Sequence, residues 1–324
     1  MKKKIKKIFI AGHRGMVGSA IFNLLKEKNY DIITRPKSKL NLLNQKSVIN
    51  FFKKNPIDQI YIAAAKVGGI YANNQYPAQF IYENLMIESN LIHSAFLCGI
   101  KKVLFIGSSC IYPKFSKQPI KEKYLLSGYL EKTNEPYAVA KIAGIKLCES
   151  YNRQYGKSHN LDFRSIMPCN IYGSGDNYHG LNSHVIPALI KKFHYAKMTN
   201  KTSVEVWGSG NVKREFLNVI DLAKAAYFIM NINKRDYVKN TSSMCGHINV
   251  GSGKDLTIKE LAKKIKKIIG FSGEIIFDKK KPDGTKRKLL DVNVIKKMGW
   301  KPKINLSDGL KETYIEYKKN EHSS

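Results

Sequence analysis

Short apolar runs alternate with helical periodicities through the first half of the chain. Residues 7–11 (Lys-Ile-Phe-Ile-Ala) form an apolar run that ends in glycine, which predicts a short buried strand. Residues 19–28 repeat apolar positions every three or four residues, as an amphipathic helix does. The pairing then recurs, with a strand predicted over 31–34 and a helix over 47–54. A fully buried strand follows over 59–65 (Gln-Ile-Tyr-Ile-Ala-Ala-Ala), then a long helix after Pro77 carrying Phe80, Leu85, Ile87, Leu91 and Ile92. Residues 103–107 and 161–167 read as two more strands, separated by a helix that bears Tyr137 and runs towards Tyr155. Strands alternating with helices require right-handed crossovers, and so a parallel sheet covered by helices on both faces.

The pattern changes after Gly173. Gly, Asn and His cluster over 173–183, the composition of a loop over a site. Segments after Val185 are short and mixed, residues 248–251 read as a strand returning to the sheet, and 257–269 as an amphipathic helix. The Lys-rich stretch 278–285 reads as a turn. The predicted class is therefore α/β: a doubly wound, Rossmann-like parallel sheet with a smaller mixed α/β C-terminal lobe. The sheet domain takes residues 1–173 plus 215–251, and the substrate lobe 174–214 plus 252–324.

Composition narrows the function classes. With 324 residues and 43% apolar content the chain builds a full core. No apolar run approaches the ~20 residues of a membrane span. The basic start, Met1 to Lys7, precedes an apolar segment too short for a signal peptide, so a cytoplasmic location is expected. Cysteines 98, 110, 148, 169 and 245 are odd in number and scattered, which suggests neither disulfides nor a metal site. The net charge of +31 invites a polyanion partner, but 49 of the 56 basic side chains are Lys, spread along the whole chain. That spread reads as solvated surface, with no nucleic-acid partner expected.

Three motifs carry chemistry. Gly12, Gly15 and Gly18 lie between strand one and helix one, where glycine backbone and a helix N-terminus accept a pyrophosphate. Arg14, Met16 and Val17 complete that turn. The end of strand two selects between dinucleotides. An acid there would hold a ribose 2′-hydroxyl, but this chain has Ile32-Ile33-Thr34-Arg35 with Lys37 close behind. With Arg14, these cations suit a 2′-phosphate and predict NADP(H). Ser108 ends strand four, where open α/β sheets bind ligands. Tyr137 and Lys141, one turn apart on a helix, form a proton-donating pair for a carbonyl being reduced by hydride. An ammonium beside the phenol is expected to lower the tyrosine pKa from its usual ~10.

Glycine turn, serine and Tyr/Lys pair together resemble the extended short-chain dehydrogenase/reductase family of nucleotide-sugar enzymes. The likeness continues through Ala63-Ala64-Ala65-Lys66-Val67-Gly68-Gly69, Gly107-Ser108-Ser109-Cys110-Ile111-Tyr112-Pro113 and Asn134-Glu135-Pro136-Tyr137. It extends to Asn182-Ser183-His184-Val185-Ile186-Pro187, Val206-Trp207-Gly208-Ser209-Gly210, Arg214-Glu215-Phe216 and Lys281-Pro282-Asp283-Gly284-Thr285. Within that family it implies an NADPH-dependent enzyme that epimerises and then reduces a GDP-4-keto-6-deoxy sugar, working as a homodimer. It also implies Cys110 and His184 as base and acid of epimerisation, beside Ser108, Tyr137 and Lys141 in reduction. Lys141, Asn170 and His184 would contact the cofactor, and Lys192, Trp207, Arg214 and Asp283 the GDP-sugar. Taken alone, Cys110 reads as a core thiol, His184 as a loop or cap residue, Trp207 as a core anchor and Asp283 as a turn residue. The chain departs from the family pattern at Lys37, where a second arginine is usual, and at Cys169, where Thr is frequent. Two other functions stay open: a sister enzyme for a related GDP-4-keto sugar, as in colitose formation, and a non-catalytic Rossmann-like binder of NADP(H) or polyanions.

Overall fold

The computed structural model of the chain describes residues 6–179, 183–281 and 283–321. The basic start at 1–5, the tip of the expected site loop at 180–182, Pro282 of the turn motif and the last three residues lie outside the described residues.

Six parallel strands form the main sheet: β1 (Lys7–Ala11), β2 (Asp31–Ile33), β3 (Gln59–Ile62), β4 (Lys102–Ile106), β5 (Asp162–Pro168) and, after an excursion, β9 (His247–Val250). Their order is β2-β1-β3-β4-β5-β9. β1 thus lies between β2 and β3, and the chain switches direction of winding there. The crevice at the carboxyl ends of β1 and β3 is where such sheets bind ligands. Helices α1 (Met16–Glu27) and α7 (Val219–Asn231) pack together over the sheet, while α2 (Gln45–Lys54), α4 (Pro77–Leu97) and α5 (Glu135–Tyr155) form a second layer, with the short α3 (Ile70–Gln75) leading into α4. Proline stands in the first turn of α4 and of α5, where its missing N–H is not needed.

The lobe carries a second core. It gathers α6 (Val185–Met198), α9 (Ile258–Ile269), α11 (Leu306–Glu321) and the parallel pair β7 (Ser203–Trp207) and β11 (Glu274–Asp278). Helix α9 starts on a reciprocal Thr257–Glu260 capping box and stops at Gly270 in the left-handed region. A small sheet joins the two cores: β8 (Lys213–Asn218) lies between β10 (Asp255–Thr257) and β12 (Arg287–Lys288) and also pairs with β6 (Asn170–Tyr172). The remaining helices are α8 (Lys234–Asn240) and α10 (Asn293–Lys297).

Element ends move by up to three residues from the sequence reading, and two differences stand out. Strand β3 ends at Ile62 rather than Ala65, because the chain turns there to pack on the glycine turn; only Ala63 N–H still bonds across, to Ala11. Leu290, Val292, Ile295 and Trp300, expected in the lobe, are buried in the core of the main sheet. Apolar spacing marks them as buried but does not say in which core. No helix of the described residues is long and apolar enough to cross a membrane.

Candidate active site

The glycine turn has two kinds of glycine. Gly12 has φ +88, and a Cβ there would lie 2.6 Å from the Ala64 nitrogen; one on Gly18 would lie 2.0 Å from the Gly12 carbonyl oxygen. These two let the turn close on itself. Gly15 is different, since its Cβ would meet only the Gly12 oxygen, at 3.6 Å. It caps α1 without a side chain, no acidic residue occupies the first turn, and Met16 and Val17 lead the helix. The open face at Gly15 and the positive helix end fit a pyrophosphate.

Beyond β2, Arg35 stacks on the Phe51 ring at 5.3 Å and donates to the Thr34 carbonyl. Arg14, Arg35 and Lys37 are exposed, and among the described residues none of them pairs with a carboxylate. Asp31 sits at the opposite end of β2, 3.9 Å from Lys7.

The reacting centre forms where β4 ends and α5 begins. Ser108 caps a single 3-10 turn, its Oγ accepting from the Cys110 N–H at 3.3 Å. Cys110 is buried, and burial pushes its thiol pKa up, opposed by Lys288, Ser108 and Lys141. Tyr137 feels the charge of Cys110, which stands two residues after Ser108. Lys141 is buried on α5, 5.7 Å from the Tyr137 ring centroid. The expected lowering of the tyrosine pKa is not what the structure has: burial, then Cys110 and Glu88, raise it well above 10. Burial is the main cause, and Lys141 does not offset it: its Nζ is engaged by Glu88 at 2.7 Å and by the Ile106 carbonyl at 3.3 Å. His184 caps α6 in extended backbone, and desolvation lowers its pKa below 6.5, away from the charged acid expected of it. It is not among the groups that shift Cys110. Asn170, expected to face the cofactor, spends its amide on the Glu215 carbonyl at 2.8 Å.

The lobe brings the four expected substrate residues together. Trp207, 51% exposed, lies between Lys192 and Lys281, each ammonium 5.3 Å from the ring. Asp283 accepts from the Ser209 N–H and hydroxyl, both at 2.7 Å, and so fixes the loop that follows Trp207. Arg214 donates to the Thr285 carbonyl and feels the charge of Asp283. Opposite Arg214 in the β8–β12 pairing stands Lys288, which interacts with Cys110. Cys110, Glu131, Thr285 and Lys288 line one narrow cleft between the cores.

Sequence reasoning missed Lys288, Lys281 and Glu88. The two lysines were hidden among 47 others, although both stand within or beside the turn motif at 281–285. Glu88 carried a readable signal, since it occupies the buried stripe 80, 84, 88, 91 and 95 of α4.

Comparison with known proteins gives the family. The model of the NAD dependent epimerase/dehydratase family matches residues 8–251. GDP-L-fucose synthase of Escherichia coli K12 is 55% identical over 98% of both chains. GDP-L-colitose synthase of Yersinia pseudotuberculosis is 41% identical over 95% of this chain and 96% of its own. Among solved structures, a GDP-mannoheptose C4 reductase from Campylobacter jejuni with NADP bound is 40% identical. It has a TM-score of 0.88, covering 98% of this chain and 100% of that one. This chain belongs to the NAD dependent epimerase/dehydratase family.

Proposed function

We propose that the protein converts GDP-4-dehydro-6-deoxy-D-mannose to GDP-L-fucose, epimerising carbons 3 and 5 and reducing carbon 4 with NADPH. The observation that carries this reading is the set of side chains running from Tyr137, which interacts with Cys110, through the cleft that Cys110 and Lys288 line, to Arg214 opposite Lys288 in the β8–β12 register and Asp283, which holds the loop after Trp207. A plain reductase needs only the first of these, and a binding module needs neither the thiol nor the phenol. The 55% identity to a GDP-L-fucose synthase over the full chain supports the particular sugar.

In this reading Gly12, Gly15 and Gly18 with the α1 N-terminus hold the dinucleotide pyrophosphate, and Arg14, Arg35 and Lys37 take the 2′-phosphate. NADPH, when bound, supplies the hydride. Trp207 packs on the nucleotide and Arg214 and Lys192 hold the diphosphate. The ketone at carbon 4 acidifies the hydrogens at carbons 3 and 5. At each of these carbons in turn Cys110, as thiolate, takes the proton and His184, protonated, delivers one to the opposite face. Ser108 bonds the carbonyl oxygen while Tyr137 gives it a proton. A lowered His184 pKa and a raised Cys110 pKa describe the resting site, with thiol and imidazole both neutral. Exposed Tyr82 and Val139 on neighbouring helices support a homodimer through α4 and α5, in the cytoplasm.

The test is NADPH oxidation followed at 340 nm with GDP-4-dehydro-6-deoxy-D-mannose, with the product identified by NMR. GDP-L-fucose, lost in Tyr137→Phe, supports the reading. An unepimerised product refutes the roles of Cys110 and His184. Activity confined to a substrate lacking the 3-hydroxyl would make the protein a colitose-type enzyme.

A further inference from the structure

The buried stripe of α4 contains two polar residues that do different things. Asn84 accepts from the Lys66 N–H and donates to the carbonyls of Lys66 and Phe80, so it clamps the loop after β3. Glu88, 1% exposed, bonds no backbone group; the group that meets its carboxylate is the Lys141 ammonium, at 2.7 Å. Helix α5 is shaped to admit it. A Cβ on Gly144 would lie 2.7 Å from Glu88 Oε2 and 2.5 Å from the Phe105 ring. The same ring lies 4.7 Å from Lys141 Nζ, and the Ile106 carbonyl accepts from it at 3.3 Å.

Lys141 is thus held from three sides at the end of β4. Glu88 meets the ammonium as an ion pair, and the Ile106 carbonyl accepts from one of its three donors. A donor is left for the cleft, where Tyr137 stands one helical turn away. Packing alone does not call for this pair, because two buried charges cost desolvation that apolar side chains of similar size avoid. The arrangement makes sense if the position of one charge matters.

We propose that Glu88 is a positioning residue for the reduction step, fixing the Lys141 ammonium by a buried ion pair so that its free donor faces the cofactor ribose and the Tyr137 phenol. The inference rests on the reductase half of the proposed function. The titratable groups that feel the Glu88 charge are Lys141, Tyr137 and Cys148, all on α5, while β4 faces it with the Phe105 ring. Glu88 acts on reduction in two ways. It prevents Lys141 from turning aside, and in its charged form, which burial opposes and Lys141 favours, it keeps the phenol protonated to higher pH.

Two measurements test this. The first uses the protein without cofactor: thermal unfolding of wild type, Glu88→Gln, Lys141→Met and the double variant. Lys141→Met strands a buried carboxylate and is expected to melt below the double variant, a strongly non-additive cycle. The second follows reduction in Glu88→Gln and Glu88→Asp. In Glu88→Gln, kcat is expected to fall on the order of 10- to 100-fold with little change in KM for the sugar. Its alkaline limb moves to lower pH, as loss of a negative charge beside Tyr137 requires. Glu88→Asp keeps the charge and restores the limb, with a partial return of rate. An additive cycle, or a folded Glu88→Gln with wild-type kcat and pH profile, overturns the inference. A wild-type protein that oxidises NADPH with no GDP-keto sugar would instead overturn the reading beneath it.

Discussion

The Lys288 and Cys110 side chains line one cleft at the seam between the two cores, and each favours the other's charged form against burial that disfavours both. Cys110 stands on the turn after β4, while Lys288 lies on β12, paired with β8 of the joining sheet. The thiol that would act as base thus takes its stabilising cation from a segment more than 170 positions along the chain. Burial raises the Cys110 pKa, and Lys288 is the first of the groups opposing that rise. A base that must ionise gives a rate that climbs with pH, and removing a nearby cation moves that climb to higher pH.

Lys288→Met is therefore expected to slow epimerisation at neutral pH on the order of tenfold or more. The reaction is read without NADPH, as solvent deuterium entering carbons 3 and 5 of the sugar by NMR. The rising limb of the exchange rate should move to higher pH, and Cys110→Ala should abolish exchange. Unchanged exchange in Lys288→Met would show that this cation does not support the thiolate.

The three glycines of the turn separate by their surroundings. Gly18→Ala drives a methyl into the Gly12 carbonyl and is expected to cost roughly 3 kcal/mol or more of stability. Gly15→Ala meets no backbone closer than 3.6 Å and, as a poorer helix cap than glycine, should cost about 1 kcal/mol or less. Its methyl fills the face expected to receive the pyrophosphate, so NADPH affinity should fall by about tenfold or more, which is about 1.4 kcal/mol. Thermal melts with NADPH titrated by fluorescence decide it. A Gly15→Ala protein that binds NADPH as wild type does would place the pyrophosphate elsewhere.

Cofactor choice is tested at the end of β2. Arg35 and Lys37 are exposed and free of carboxylate partners among the described residues, so their loss should leave the fold intact. Replacing both by Ser is expected to lower kcat/KM for NADPH by on the order of 100-fold while that for NADH changes little, because a 2′-phosphate loses its charge-assisted bonds. Equal losses with both cofactors would mean that these side chains hold the loop rather than the phosphate.

Most of what positions the site was legible in the sequence because it depends on local pattern. The strands read over 7–11 and 103–107 and the helices read over 19–28 and around Tyr137 follow from apolar period, glycine and proline, and the structure has them with ends moved by up to three residues. The charge relations were not legible. Lys141 reads as the partner of Tyr137 from a four-residue step, but its ammonium is tied to Glu88, 53 positions earlier, and to a strand carbonyl. Lys288 meets Cys110 only because β12 pairs with β8, a register that no local signal fixes in a two-residue strand. The same holds for Leu290 to Trp300, whose burial was predictable and whose core was not. Asp283 shows the converse: read alone it is a turn residue, and the structure has it holding the loop after Trp207.

The seam between the cores has a pH dependence of its own, set by Glu215. This fully buried carboxylate on β8 accepts from the N–H groups of Gly253 at 2.6 Å and Leu290 at 2.9 Å, and so ties the loop after β9 to the segment that follows β12. Burial raises its pKa from 4.5 to about 7, those bonds opposing. A carboxyl whose pKa is higher when folded binds its proton more tightly in the native state. Its contribution to stability is complete below about pH 4.5 and is lost as pH rises through about 7. The change across that window is about 3 kcal/mol. Glu215→Gln cannot titrate, and its amide presents a donor to one of the two N–H groups, so it should be less stable at low pH. Its stability should nevertheless be flatter between pH 4.5 and 7 than that of wild type, once other groups common to both proteins cancel. Denaturant unfolding of the two proteins at half-unit steps of pH reads the difference directly. Parallel curves would mean that Glu215 stays ionised throughout, its charge held by the two backbone donors.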